Sequence, residues 1–232
     1  MAVPTASASA SASSLPSSAA SAAGSAKWTS TCRIGSKSAV VAVAAIVAGV
    51  AGVAGITILY IQFNAYAALF SAIALLSYAF IYTPLKRFSP IAVFVGAIPG
   101  ALPVLIGWVS ATGNITYAAL VLFGIQFMWQ FPHFWAIAWV SHEDYNRGGY
   151  KLLPFNGMPD RNTAFQIMIY SFFLIPVSLL PWTLPLETPM VGNIAAVIVT
   201  AAGVWISFLA YKLFKEPTLL NARKVMFASF FY

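Results

Sequence analysis

Six apolar stretches dominate the chain, at residues 39–61, 65–82, 90–108, 117–140, 163–182 and 191–213, and only short polar segments separate them. No charged side chain falls inside them except Lys212, next to the end of the last. At a rise of 1.5 Å per residue, about 20 residues cross the ~30 Å hydrocarbon core of a bilayer. Lipid offers no hydrogen-bond partners, so each stretch must satisfy its backbone internally and is read as a helix rather than a strand. The pattern predicts an all-α integral membrane protein with about six transmembrane helices.

Details within the stretches refine this picture. The first is built of small residues, with Gly49, Gly52 and Gly55 three apart, a face that lets a neighbouring helix approach closely. The third holds Gly96, Pro99, Gly100, Pro103 and Gly107, which should kink it and free carbonyls that only a protein-lined or wet cavity tolerates. The fourth carries Gln126, Gln130, Pro132 and His133 in its second half, a second polar break at membrane depth. Residues 1–37 are different: Ala/Ser repeats with no acid and almost nothing large. Such a segment buries too little apolar surface to offset chain entropy and is expected to be a disordered tail ahead of a membrane domain at 38–232. The final run, 225–232, reads as a further helix cut short.

Composition agrees with the pattern. Sixty per cent of residues are hydrophobic and 7% charged, at a mean hydropathy of +0.84, too few charges to cover a water-soluble domain. Charge then fixes the expected orientation. All 12 Lys and Arg fall before the first span, between the second and third, between the fourth and fifth, or at and beyond the end of the sixth. Those segments share one side, and the other side holds only Glu187. The positive-inside rule places both termini on the cytoplasmic side, or the matrix side in an organelle. Basic loops beside anionic headgroups account for the net +7, and no nucleic-acid partner is implied. The single Cys32 rules out an internal disulfide and a cysteine-based metal site.

The candidate chemistry is concentrated in residues 129–154, WQFPHFWAIAWVSHEDYNRGGYKLLP. Glu143 and Asp144 are the first acids in the chain, and they stand at the mouth of a span beside His142, Tyr145, Arg147 and Lys151. Lys86 and Arg87 close the second span and belong to the same face. Carboxylates hold Mg²⁺ through oxygen, and Mg²⁺ together with Lys and Arg holds phosphate. The set suits a Mg²⁺–diphosphate whose hydrocarbon tail lies in the membrane. Ordinary alternatives exist for each group: topology for any one cation, and a solvated helix end for the acids. His133 lies roughly 10 Å inside the membrane, where it must face a cavity or a partner helix.

These same residues resemble the UbiA-type intramembrane prenyltransferases, and within them the heme O synthase (protoheme IX farnesyltransferase) branch. The matching stretches are YTPLKR (82–87), VGAIPGALPVLIGW (95–108), WQFPHFWAIA (129–138) and EDYNRGGYKLLP (143–154), within a likeness covering roughly residues 40–232. The resemblance implies a nine-helix bundle that transfers a farnesyl group from farnesyl diphosphate to the vinyl group of heme B, with Mg²⁺ on the diphosphate. It implies metal-holding roles for Asp144 and Glu143, and catalytic roles for Asp144, Lys86 and Lys151. Substrate contacts fall to Arg87, Tyr145 and Arg147, and His133 is placed on the heme side of the cavity. It further implies a bacterial plasma membrane location, with the mitochondrial inner membrane as alternative, and terminal-oxidase assembly partners. Family members also carry a first acidic motif, N-x-x-D-x-x-x-D, where this chain has its Ala/Ser tract. An incomplete, impaired enzyme is therefore expected. Three rival readings are a UbiA-type enzyme for another acceptor such as a quinone precursor, a transporter or heme-binding membrane protein, and an inactive paralogue.

Overall fold

In the computed structural model the described residues are 19–155, 157–184 and 190–232, with side chains described from Ala39 onward. The chain divides into two compact units, Met1–Ala51 and Gly52–Tyr232. Helix α1 (Ala19–Gln62) begins in the first and ends in the second. The disordered tail read for residues 1–37 is thus helical from Ala19; residues 1–18 lie outside the described residues. Alanine, the strongest helix former, dominates the segment once Pro16 is passed, and the apolar span beyond it continues the same helix.

Helices α2 (Ala65–Leu76), α3 (Thr83–Leu85), α4 (Ala92–Thr112), α5 (Tyr117–Val140), α6 (His142–Arg147), α7 (Arg161–Thr183), α8 (Asn193–Lys215) and α9 (Leu219–Phe231) follow, and a π-helical segment, Ser77–Tyr82, joins α2 to α3. Among the described residues six helical stretches are long and apolar enough to cross a membrane, from Ala39–Gln62 to Asn193–Lys215, as the apolar pattern predicts. Short polar residues cap four of the helices: Asn64, Thr116, Asp160 and Thr218 each accept a backbone N–H of the first turn of α2, α5, α7 and α9. Asn64 also donates to the Val109 carbonyl at 2.7 Å, tying the start of α2 to the last turn of α4. Gly113, at φ 75°, ends α4 in the left-handed conformation.

The break in regular helix falls where the apolar pattern gives no warning. Helix α4 continues through Pro99 and Pro103, whereas the second span widens into the π-helical segment just ahead of Pro84. A proline ring presses on the carbonyl four residues back, and the wider turn relieves that contact. The Thr83 N–H bonds the Tyr78 carbonyl five residues back, and the Thr83 hydroxyl donates to the same carbonyl at 2.9 Å.

Helix α5 is the hub of the second unit, packed on α4, α7 and α9, while α7 packs on α8 and α2 on α4. Phe131, Trp135 and Trp139 of α5 meet Ile167, Leu213 and Val225 in the larger core. Leu102, Leu105 and Val109 meet Ala67 and Ala119 in the smaller one. Fully buried alanines at the crossings (Ala97, Ala136, Ala210, Ala222) let backbones come close, the usual basis of helix association in lipid.

Candidate functional site

Where the π-helical segment, α4 and α5 diverge, a cavity of about 350 Å³ opens. Its depth is apolar or small: Val93, Gly96 and Gly100 of α4, Phe134 of α5. The π turn contributes Tyr78 and Tyr82, whose rings lie 5.0 Å apart. Both glycines are spacers. A Cβ on Gly96 would meet the Tyr82 ring at 2.6 Å, and one on Gly100 would collide with the Gln130 amide. Gln130 is buried among these groups; its amide nitrogen donates to the carbonyls of Ala97 (3.0 Å) and Gln126 (3.2 Å).

The mouth is built by two loops joined through the backbone. The Lys151 N–H donates to the Lys86 carbonyl at 2.9 Å, so the segment after the second span and the segment after the fourth meet. Gly149, at φ 71°, turns the chain after α6 and brings Tyr150 back toward Tyr145, with rings 6.3 Å apart. The Lys86 ammonium then lies 4.7 Å from the centre of the Tyr150 ring and 5.7 Å from that of Tyr82. Among the described residues the only ion pairs are those of Arg147, so Lys86 is a half-buried cation faced by rings and by no carboxylate. Ring faces attract a cation but leave its charge uncancelled. An anion entering the mouth would complete it. Burial pushes the Tyr145 phenol above its ordinary value, so it stays an O–H donor throughout the neutral range.

The other candidates are placed differently. Glu143 and Asp144 occupy the first turn of α6, exposed, with Arg147 3.9 and 3.7 Å away. Arg87, Arg147 and Lys151 are exposed around the mouth and do not line the cavity. His133 is not among the cavity-lining side chains either. It stacks on Trp129 at 4.4 Å, meets Phe230 edge-on, and its Nδ1 lies 2.8 Å from the Ser229 hydroxyl of α9. Ser229 gives its own proton to the Met226 carbonyl, so Nδ1–H of His133 donates to Ser229. One residue, a rotation of about 100° around the helix, separates the two outcomes: Gln130 and Phe134 face the cavity, Trp129 and His133 face α9.

Sequence reasoning missed Tyr78 and the spacing role of Gly96 and Gly100. The signal was present: Tyr78 and Tyr82, and Gly96 and Gly100, are each four apart, one helical turn, on consecutive spans.

The family model for the UbiA prenyltransferase family matches residues 34–232. The chain belongs to the UbiA prenyltransferase family. Among curated proteins it is similar to the protoheme IX farnesyltransferase of Christiangramia forsetii, 46% identical over 169 residues, 73% of this chain and 56% of that one. Those of Cytophaga hutchinsonii (47% over 166 residues, 72% and 57%) and Flavobacterium johnsoniae (45% over 169 residues, 73% and 56%) are comparable. The chain thus spans a little over half the length of these relatives. No solved structure matches it. UbiA-type prenyltransferases generally use Mg²⁺ with diphosphate substrates. Among the described residues no group of three His, Cys, Asp or Glu forms a protein-only metal cage. Mg²⁺ needs only one or two carboxylates when phosphates and waters complete its shell, and Glu143 and Asp144, held loosely by one Arg, retain oxygen lone pairs for it. The donor set fits in that shared sense.

Proposed function

We propose that this chain carries a site for transferring the farnesyl group of farnesyl diphosphate to the vinyl group of heme B. One observation carries the reading: the Lys86 ammonium, framed by Tyr82 and Tyr150 and faced by no carboxylate, at the mouth of an apolar cavity. The names of the relatives supply the two substrates. Lys86 takes the diphosphate oxygens and Tyr145 donates its O–H to them, so negative charge developing on the leaving group meets donors already in place. Arg87, Arg147 and Lys151 around the mouth raise the local concentration of the anion. The prenyl chain lies toward Val93, Phe134 and the two glycines, where water is scarce and the allylic cation is protected from hydrolysis. The bond from C1 to the diphosphate oxygen breaks with its electron pair going to diphosphate, the vinyl π pair forms the new carbon–carbon bond, and the carbocation left on the vinyl carbon next to the porphyrin is captured by a water molecule, which stays as a hydroxyl and gives one proton to the released diphosphate. Mg²⁺, when bound, adds charge neutralisation on the diphosphate, and Asp144 and Glu143 would hold it. His133 acts at one remove, fixing α9 against α5.

The same reading puts the mouth on the cytoplasmic side of a bacterial plasma membrane, where the basic loops gather, and supplies heme to terminal oxidases. Membranes containing the chain, given farnesyl diphosphate and Mg²⁺, test it with two acceptors in parallel, heme B and 4-hydroxybenzoate. Prenylated heme alone is the expected product. Prenylated benzoate would move the chain to another acceptor class.

A further inference from the structure

Tyr78, Tyr82 and Lys86 line one cavity, with the π turn between the first and the last of them. In a regular helix each residue turns by about 100°, so Tyr78 and Lys86, eight apart, would point about 80° away from each other. The π turn changes that register. The Thr83 N–H bonds the Tyr78 carbonyl, so Thr83 stands where Tyr82 would stand in a regular helix. Four-back bonding has resumed at Lys86, whose N–H reaches the Tyr82 carbonyl at 3.0 Å. One residue is absorbed on the way, and Lys86 comes to within about 20° of Tyr78. At the ~5–6 Å radius of a helix with its side chains, that change of about 100° moves a head group by about 8–9 Å. The displacement exceeds the 4.7 and 5.7 Å between the Lys86 ammonium and the centres of the Tyr150 and Tyr82 rings.

Proline alone does not account for the turn. Pro99, Pro103, Pro132, Pro176 and Pro181 lie inside α4, α5 and α7, which stay α-helical. The added element beside Pro84 is the hydroxyl of Thr83. Thr57, Ser171, Thr183 and Thr200 each donate to the carbonyl four residues back, the ordinary helical pattern. The Thr83 hydroxyl instead donates at 2.9 Å to the carbonyl of Tyr78, the one its own N–H already uses. Both bonds hold the wide turn at the same point. Helix α4 is shaped to the result, since the Tyr82 ring lies 2.6 Å from the place a Cβ on Gly96 would take.

We propose that Thr83 is a positioning residue, whose hydroxyl holds the π turn in the register that sets Lys86 at the cavity mouth above Tyr78 and Tyr82. It acts through Lys86, and so rests on the reading of Lys86 as the cation that takes diphosphate. The test is calorimetric titration of the full chain in detergent with inorganic diphosphate and Mg²⁺, which needs no prenyl transfer. Thr83→Val keeps the branched shape and loses the hydroxyl; it should weaken diphosphate binding about fivefold, the scale of one neutral hydrogen bond. Thr83→Ser should bind as the wild type does. Thr200→Val, which loses a four-back bond of the ordinary kind on α8, should also leave binding unchanged. In a Lys86→Met background, Thr83→Val should weaken binding no further. Wild-type affinity in Thr83→Val, even at a lowered melting temperature, would make the hydroxyl merely structural and overturn the proposal. So would a fivefold loss that persists without Lys86. Lys86→Met binding diphosphate as tightly as the wild type would overturn the reading of Lys86 itself, and the role of Thr83 with it.

Discussion

Replacing Gly100 by Ala sets two opposed effects against each other. Alanine is the better helix former by about 1 kcal/mol, which favours the variant. The new Cβ, however, would fall on the Gln130 amide, with Cδ at 3.0 Å and Nε2 at 3.3 Å. Gln130 is 2% exposed and cannot swing away without giving up its bonds to the Ala97 and Gln126 carbonyls. Overpacking costs about 1–3 kcal/mol, and stranding a buried amide about 1–3 kcal/mol more. The net effect is a loss of about 1–5 kcal/mol. Gly107, on the same helix, has nothing within 4 Å of its would-be Cβ, so Gly107→Ala receives only the favourable term. Thermal unfolding in detergent separates them, since 1 kcal/mol moves Tm by about 2–4 °C in a chain of this size. Gly100→Ala should melt lower than the wild type by at least 2 °C on that scale, and Gly107→Ala at or above it. Shortening Gln130 to Ala should recover part of the Gly100→Ala loss in a double-mutant cycle. A Gly100→Ala protein as stable as Gly107→Ala would refute the spacing role.

Asp144→Asn tests the exposed acids: its ion pair with Arg147 is solvent-facing, so stability should move by less than about 0.5 kcal/mol, while prenyl transfer in membranes falls by about 100-fold. Full activity in that variant would remove Asp144 from the site. Asn64→Ala deletes both the cap of α2 and the bond to Val109, and should destabilise the chain by about 1–2 kcal/mol in the same melting assay. Tyr145 bears on pH: because its folded phenol titrates above the ordinary value of 10, its contribution is complete below pH 10, and stability drains as pH climbs past 10 toward the folded value. Tyr145→Phe should flatten that alkaline decline in pH-dependent unfolding; an unchanged slope would mean that another group sets it.

The spans could be read from the sequence because lipid allows only one economical solution for a long apolar run, and the two loops at the mouth because charge marks their common side. The π turn could not, since moving a hydrogen bond from the fourth to the fifth residue back leaves the apolar pattern unchanged. Pro84 was the available hint, and the prolines of α4 drew attention instead. Lys86 and Tyr145 were legible as chemistry in a greasy chain. Gly96 and Gly100 read only as part of a Pro/Gly kink in the third span, because what a missing Cβ makes room for depends on the neighbouring helix. His133 shows the same limit: depth and polarity demanded a partner, but whether that partner was a cavity or Ser229 of α9 depended on tertiary placement.

Membranes containing the wild-type chain or Lys86→Met, supplied with heme B, farnesyl diphosphate and Mg²⁺, test the central claim most directly. Met keeps the length and packing of the stem between Tyr82 and Tyr150 and removes only the charge. The account predicts farnesylated heme from the wild type and a loss of at least about 100-fold in the variant, at unchanged expression and melting temperature. No farnesylated heme from the wild type, or equal amounts from both, would contradict it.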